Sequence, residues 1–385
     1  MKNMKIIKKT LFFLVLSLFS ILLVSCKKPQ TYTISYELDG GICESLITSF
    51  KEDETITLPT PSKKGYIFMG WYEGDIKIEN LENKNYVLKA KWGEYEYETK
   101  RSQLQNGEYL VDGEFLLPVT DEKVPAVIIV GGSGPSDMDG TVNAQKPYKT
   151  LAIELAEKGI ASIRFNKVTY QHVESLINDY SFSIQDEYLY AIESCLELLR
   201  ENDNIDHGQI YLVGHSLGSV IIPIVLERDK DLAGGIIMAG STMHILDLLL
   251  EQIKVQSEDL YNLYLPYCNY AKSLTEVPAG EEAYNYFGAY TAYYVSYNKI
   301  NRELIKDLEC PLLIIQGRLD LQVSMEHFYQ YQDLLQNKQN VTYKVYDKLN
   351  HLFSNGENET LENAYKVNNK IDGAVIIDIF NFIYN

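Results

Sequence analysis

The stretch Gln209-Ile210-Tyr211-Leu212-Val213-Gly214-His215-Ser216-Leu217-Gly218-Ser219-Val220-Ile221-Ile222 decides how this 385-residue chain is read. Residues 209–213 form an apolar, strand-like run, and residues 217–226 begin like a helix. Between them stands Gly214-His215-Ser216-Leu217-Gly218. A Gly-x-Ser-x-Gly turn in that setting is a nucleophile elbow, a strained strand-to-helix corner that exposes a serine hydroxyl above a sheet. The glycines matter because strand and helix crowd the serine and leave no room for side chains beside it. With glycine and serine near 7% each, roughly one chain of this length in eight carries the pentapeptide by chance. The surroundings therefore decide.

On either side of the elbow, strand-like and helix-like runs alternate. Residues 127–130 are continuously apolar, as a strand buried on both faces requires. Residues 148–158 have a helical rhythm ending at Gly159, and residues 160–165 read as the next strand. Residues 183–201 predict a longer amphipathic helix, with Ile184, Tyr188, Ala191, Ile192, Cys195 and Leu199 along one stripe. Residues 234–239, 311–316 and 341–346 read as further strands, and residues 375–384 as a closing helix. The alternation predicts an α/β fold with a mostly parallel sheet. Ser216 falls at the carboxyl end of its strand, where such sheets place their ligands.

A serine nucleophile needs a base, and the chain has six histidines. His172 and His207 precede the elbow, and His215 lies within it. Hydrolases built on this elbow run in the order serine, acid, histidine. His351, in the loop Lys348-Leu349-Asn350-His351-Leu352-Phe353 after the last strand, fits that order best; His244 and His327 are the alternatives. Gly317-Arg318-Leu319-Asp320 follows the run ending at Gln316, so Asp320 stands at a strand end, suited to fix the imidazole tautomer. Asp347 is the alternative acid, and its place beside the histidine's own strand suits a surface carboxylate. An oxyanion needs two backbone donors. The Leu217 amide directly follows the nucleophile, and the loop Gly131-Gly132-Ser133-Gly134-Pro135 offers the other, with Ser133 as the candidate. That loop lacks the Gly-Lys-Ser/Thr ending of a P-loop and the GxGxxG of a dinucleotide site.

These residues resemble the α/β-hydrolase superfamily, in particular bacterial carboxylesterases of the EstD type with their dienelactone-hydrolase and S33-peptidase relatives. The likeness runs from about Gly107 to Asn385. It rests on Gly-Ser-Gly-Pro-Ser-Asp-Met-Asp-Gly from Gly132, Lys-Pro-Tyr-Lys from Lys146, Gln-Gly-Arg-Leu-Asp-Leu-Gln-Val from Gln316, and Asn350-His351-Leu352-Phe353. Two departures stand out. Gly131 replaces a usual histidine, and Asn166-Lys167-Val168 stands where the family commonly has Asp-Lys-Arg. The resemblance implies an α/β-hydrolase fold with a helical cap insertion, here about residues 241–308. Ten tyrosines between Tyr261 and Tyr297, plus Phe287, suit packing of that cap, and some suit a pocket for an aromatic or acyl group.

The chain begins with Lys2, Lys5, Lys8 and Lys9, continues with an apolar run over residues 11–24, and reaches Leu23-Val24-Ser25-Cys26. This is the layout of a secretory signal. Its apolar run is short of the ~20 residues of a spanning helix. Leu-Val-Ser-Cys resembles the lipobox of bacterial lipoproteins, which implies cleavage after residue 25, lipidation of Cys26, a short tether over 26–30, and an extracytoplasmic protein anchored to the cell membrane. Residues 31–93 alternate short β-like runs (31–38, 54–58, 65–72, 86–92) with turn signals. Asp39-Gly40-Gly41, Pro59-x-Pro61, the Gly65-Tyr66-x-Phe68-x-Gly70-Trp71-Tyr72 run and Ala90-x-Trp92 resemble one Listeria–Bacteroides repeat, the B-repeat of internalin-type surface proteins. That resemblance implies a small β-grasp-like module, read as a spacer or as a contact to cell wall or surface. Trp71 and Trp92 suit its core. The hydrolase domain then spans 94–385.

Removing residues 1–25 takes four lysines from the 35 basic residues and leaves 31 against 53 acidic ones, a net charge of −22. Such a chain repels nucleic acid, which excludes it as a partner class. Cys43, Cys195, Cys268 and Cys310 have no metal-type spacing, and no metal or organic cofactor is implied. The expected activity is a serine esterase acting on a small-molecule ester; the alternatives are a serine peptidase and a non-catalytic binding protein on the same scaffold.

Overall fold

The computed structural model describes residues 28–52, 54–367 and 369–385. Residues 1–27, and with them the signal segment and Cys26, lie outside the described residues. The chain divides into two compact units, one of residues up to 63 with 67–93, the other of residues 64–66 with 94–385.

The smaller unit is a five-stranded sheet of β1 (Thr31–Glu37), β2 (Ser49–Lys51), β3 (Ile67–Glu73), β4 (Ile76–Lys77) and β5 (Tyr86–Gly93), in the order β2-β1-β5-β3-β4. Its centre is the parallel pair of β1 and β5, with antiparallel partners outside. No helix occurs among its described residues. Ile34, Phe50, Trp71, Tyr86, Leu88 and Ala90 make its core, and the indole N–H of Trp71 donates to the Pro59 carbonyl at 2.8 Å. Residues 54–58, expected as a strand, are irregular; Ser49–Lys51 pairs with β1 instead. Ile56 and Leu58 still pack on the core, so their alternation reflects burial without a partner strand.

The larger unit opens with a hairpin not expected from the sequence, β6 (Tyr97–Asn106) and β7 (Tyr109–Pro118). Then come β8 (Val124–Val130), β9 (Ala161–Phe165), β10 (Ile205–His215) and β11 (Gly234–Met238). A two-residue hairpin, β12 (Asn285–Tyr286) with β13 (Ala289–Tyr290), precedes β14 (Leu312–Gly317) and β15 (Val341–Tyr346). The eight-stranded sheet runs β15-β14-β11-β10-β8-β9-β7-β6. Pairings from β15 to β9 are parallel, and β7 joins antiparallel.

Strands β8, β9, β11 and β14 are buried at every position, which is why they read as unbroken apolar runs. Period two splits β8 between two cores. Ala126, Ile128 and Val130 face one core with the helices Tyr190–Arg200 and Gly218–Arg228. Val127 and Ile129 face the other with the helices Pro147–Ala156 and Gly373–Tyr384. The helix expected over 183–201 starts with a π turn, Gln185–Leu189, before its α portion. Between β11 and β14 lie the helices Ile245–Gln256, Glu258–Ser273 and Thr291–Asn298 with the small hairpin, a mainly helical insertion. Sheet order, crossover helices and elbow together make this unit an α/β-hydrolase fold.

Candidate active site

Ser216 sits at the corner between β10 and the helix Gly218–Arg228 with φ of 53°, a left-handed conformation that a serine adopts only under constraint. The glycines around it are sterically required. A Cβ on Gly218 would lie 2.4 Å from the Val130 carbonyl oxygen and 2.5 Å from that of Gly131. A Cβ on Gly214 would meet the Gly218 carbonyl at 2.6 Å. The Ser216 amide donates to the Met238 carbonyl at 2.9 Å and ties the corner to β11.

Asp320 and His351 are joined directly: Nδ1 of the imidazole lies 2.7 Å from Oδ2 of the carboxylate, and both residues are buried. The other carboxylate oxygen accepts from the Gln322 and Val323 amides at 2.7 and 2.8 Å, and Gln316 Nε2 reaches Oδ2 at 3.1 Å. Burial alone would raise the Asp320 pKa. The charge and hydrogen bond of His351 and the two amides outweigh it and hold the carboxyl below its ordinary range. The His351 loop approaches β14 where Gly317 permits it, since a Cβ there would stand 2.4 Å from the Leu349 carbonyl. Asn350 braces the loop from within, its Oδ1 accepting from the amides of Leu352 and Ser354.

Ser216 is connected to this pair through His215. The His215 Nε2 lies 2.8 Å from the His351 carbonyl, and its Nδ1 lies 2.9 Å from the Tyr148 hydroxyl. Burial first, then the nearby His351, pushes the His215 pKa down to about 3, so the ring is neutral. Burial raises that of Tyr148 to about 12, so its hydroxyl keeps its proton. The His351 carbonyl can only accept, so the neutral ring carries its proton on Nε2 and its Nδ1 accepts from the Tyr148 O–H, whose oxygen accepts from the Gly132 amide at 3.1 Å. One directed chain thus ties the glycine loop, the elbow and the histidine loop together.

The loop after β8 lies against the serine: a Cβ on Gly132 would be 3.1 Å from that of Ser216. Ser133, Gly134, Pro135 and Leu217 form one wall of a cavity of about 320 Å³. The rest of its lining is mainly apolar and aromatic, with Leu176, Phe182, Phe287, Tyr290, Tyr293 and Tyr294. Ser216 opens onto a tighter crevice that shares Leu217 and Ile245 with this cavity.

The remaining histidines have other partners. His244 caps the helix Ile245–Gln256 and bonds Asn298; His327 is buried between Ser241 and Glu251; His172 bonds the Leu110 carbonyl and His207 that of Asn202. Asp347 is exposed and pairs with Arg318. Among the described residues no group of three or more His, Cys, Asp or Glu side chains is placed to hold a metal ion, and the four described cysteines are free thiols.

Several residues around the site carry no role in the sequence reading. Tyr148 belongs to the quoted Lys-Pro-Tyr-Lys stretch, and its neighbour Lys146 binds Asp139, which also binds the buried Arg164 at 3.0 Å. Asn166 Oδ1 accepts from the Met138 amide at 2.7 Å. Lys167 is buried against Glu187 at 2.6 Å; burial pushes its pKa down, against the pull of that carboxylate. The signal was present for Glu187, a lone carboxylate on the apolar stripe between Ile184 and Ala191.

Comparison with known proteins gives the following likenesses. Residues 32–91 match the Listeria–Bacteroides repeat domain, and residues 188–368 match the prolyl oligopeptidase family. Esterase EstD of Thermotoga maritima is 30% identical over 272 residues, covering 69% of this chain and 64% of that protein. A putative membrane protein of Evansella cellulosilytica is 30% identical over 105 residues, 25% of this chain and 16% of that protein. The chain thus spans less than two thirds of the length of either curated relative. Among solved structures, Est1E from Butyrivibrio proteoclasticus superimposes with a TM-score of 0.49 at 15% identity, over 74% of this chain and 99% of that one. Residues 94–385 carry the α/β-hydrolase fold, and residues 32–91 match the Listeria–Bacteroides repeat.

Proposed function

We propose that the chain is a serine esterase. The observation that carries the reading is the buried Asp320–His351 hydrogen bond beside a left-handed Ser216 on a glycine-enforced elbow. Ser216 Oγ attacks the ester carbonyl while His351 takes its proton. Asp320 holds the Nδ1–H tautomer and stabilises the imidazolium. The amides of Leu217 and Ser133 receive the oxyanion. His351 returns the proton to the departing alcohol, and water, activated by the same histidine, releases the acid from the acyl-enzyme. The apolar cavity beside Ser133 and Leu217 suits an aromatic or medium-chain acyl group. Replacing Ser216 by alanine should abolish p-nitrophenyl ester turnover; turnover that survives the change rejects the assignment.

The match of residues 188–368 to the prolyl oligopeptidase family favours a second reading, a serine peptidase with the same three side chains. Paired esters and amides of one acyl group separate the two: the esterase reading requires hydrolysis of the ester with little of the amide.

The amino-terminal Lys2–Cys26 pattern supports a lipid anchor, and the repeat supports a place at the cell surface, as a spacer or a wall contact. Metabolic labelling with a palmitate analogue in a bacterial host tests the anchor. Label should enter the native chain and be lost in Cys26→Ala; equal labelling of both contradicts it.

A further inference from the structure

The peptide between Gly132 and Ser133 is gripped by its carbonyl. The Gly132 oxygen accepts from Lys167 Nζ at 2.9 Å and from the Tyr188 hydroxyl at 2.8 Å. A trans peptide is planar, with its C=O and the following N–H pointing in opposite directions. Two donors on the Gly132 oxygen therefore fix the direction of the Ser133 N–H, away from Lys167. The amide on the other side of Gly132 is held as well, by Tyr148. Residue 132 has no slack at either peptide.

Lys167 is built for this place. Its side chain is 2% exposed, and its Nζ also reaches the Gly134 carbonyl and the Tyr188 hydroxyl at 2.9 Å each and Glu187 Oε1 at 2.6 Å. Three N–H bonds among four oxygens leave the ammonium no room to swing. A cationic donor on a carbonyl makes a stronger hydrogen bond than a neutral one. It also draws electron density from the amide, so the N–H of the same peptide becomes a better donor. Glu187 spends its second oxygen on the Tyr293 hydroxyl at 2.5 Å, from the insertion helix Thr291–Asn298. None of these groups takes part in the proton transfers described above.

We infer that Lys167 is the positioning residue of the oxyanion loop: it orients and polarises the Gly132–Ser133 peptide, and Glu187 with Tyr293 couples that peptide to the cap. The inference rests on the serine-hydrolase reading of the site.

The test uses the full chain and p-nitrophenyl butyrate, with Ser216→Ala alongside. Lys167→Met combined with Glu187→Gln removes both buried charges together, so that no carboxylate is stranded. Its kcat should fall about 10- to 100-fold, less than the ~10²–10³-fold cost of removing an oxyanion donor outright because the donor is misaligned and not lost, while KM stays nearly constant. Affinity for an alkyl trifluoromethyl ketone, which forms a tetrahedral oxyanion on the serine, should fall in parallel. Tyr188→Phe removes one of the two donors to Gly132 and should lower kcat several-fold; it decides alone if the double variant does not fold. Unchanged kcat and ketone affinity in a folded variant, or a loss confined to KM, overturns the inference. If Ser216→Ala is dead while the Lys167 variant keeps its kcat, only this inference fails. Turnover surviving in Ser216→Ala rejects the underlying reading instead.

Discussion

The elbow shows how a few atoms decide a site. Gly218 is enclosed by backbone carbonyls of Val130 and Gly131, which cannot retreat without breaking the central sheet. Gly218→Ala should therefore cost at least about 1–3 kcal/mol, the range for overpacking, and should also displace Ser216. Urea unfolding and ester turnover check both; a variant of unchanged stability and full activity contradicts the account. At this scale much of the site was legible. Ser216, Asp320 and His351 follow from a local motif plus chain order, and the structure brings the last two into contact. The roles of Tyr148, Lys167 and Glu187 have no local signature, because what defines them is contact across distant segments: Tyr148 with His215, Lys167 with Gly132, Glu187 with Tyr293. Pattern reading weighs neighbours along the chain, whereas a buried polar group is explained by its partner in space.

Among elements, the central strands were readable because burial on both faces writes itself as apolar runs, as in β8 and β14. The β6–β7 hairpin has only Asn106-Gly107 at its turn as a sequence signal, since β6 is an edge strand with mostly polar residues. The strand expected over 54–58 failed for the converse reason, an alternation without a ladder. The hairpin β12–β13 lends the cavity Asn285, Phe287, Gly288, Ala289 and Tyr290. Ala289→Trp should fill part of that space and raise KM for aromatic or octanoyl esters about tenfold, an ~1.4 kcal/mol effect, while acetyl esters are spared. Equal effects on short and long acyl groups would place the acyl chain elsewhere. Lys167→Met without its partner change strands Glu187 and should cost about 3–5 kcal/mol in urea unfolding; a loss well under 1 kcal/mol contradicts the buried pair.

For the molecule as a whole, His215 and His244 make stability fall in acid. His215 is held at about 3 and His244 at about 4, chiefly by burial, against 6.5 for a free imidazole. Below about pH 6.5 the unfolded chain binds protons that the folded chain refuses, so stability is lost as pH falls from there toward 4. Asp320, lowered below 3.8, adds its own loss only at lower pH. The urea midpoint should therefore drop steadily between pH 7 and 4.5, and His244→Asn should flatten the slope; a midpoint independent of pH over that range is inconsistent with neutral buried rings. The chain joins a small β unit that matches a Listeria–Bacteroides repeat to a unit with a hydrolase fold, and the whole account turns on whether Ser216 is an activated nucleophile. The most direct measurement is fluorophosphonate labelling of the purified chain lacking residues 1–25, beside its Ser216→Ala variant. The account predicts a labelled native protein and an unlabelled variant. A folded native protein that takes no label, or a variant that labels equally well, would contradict it.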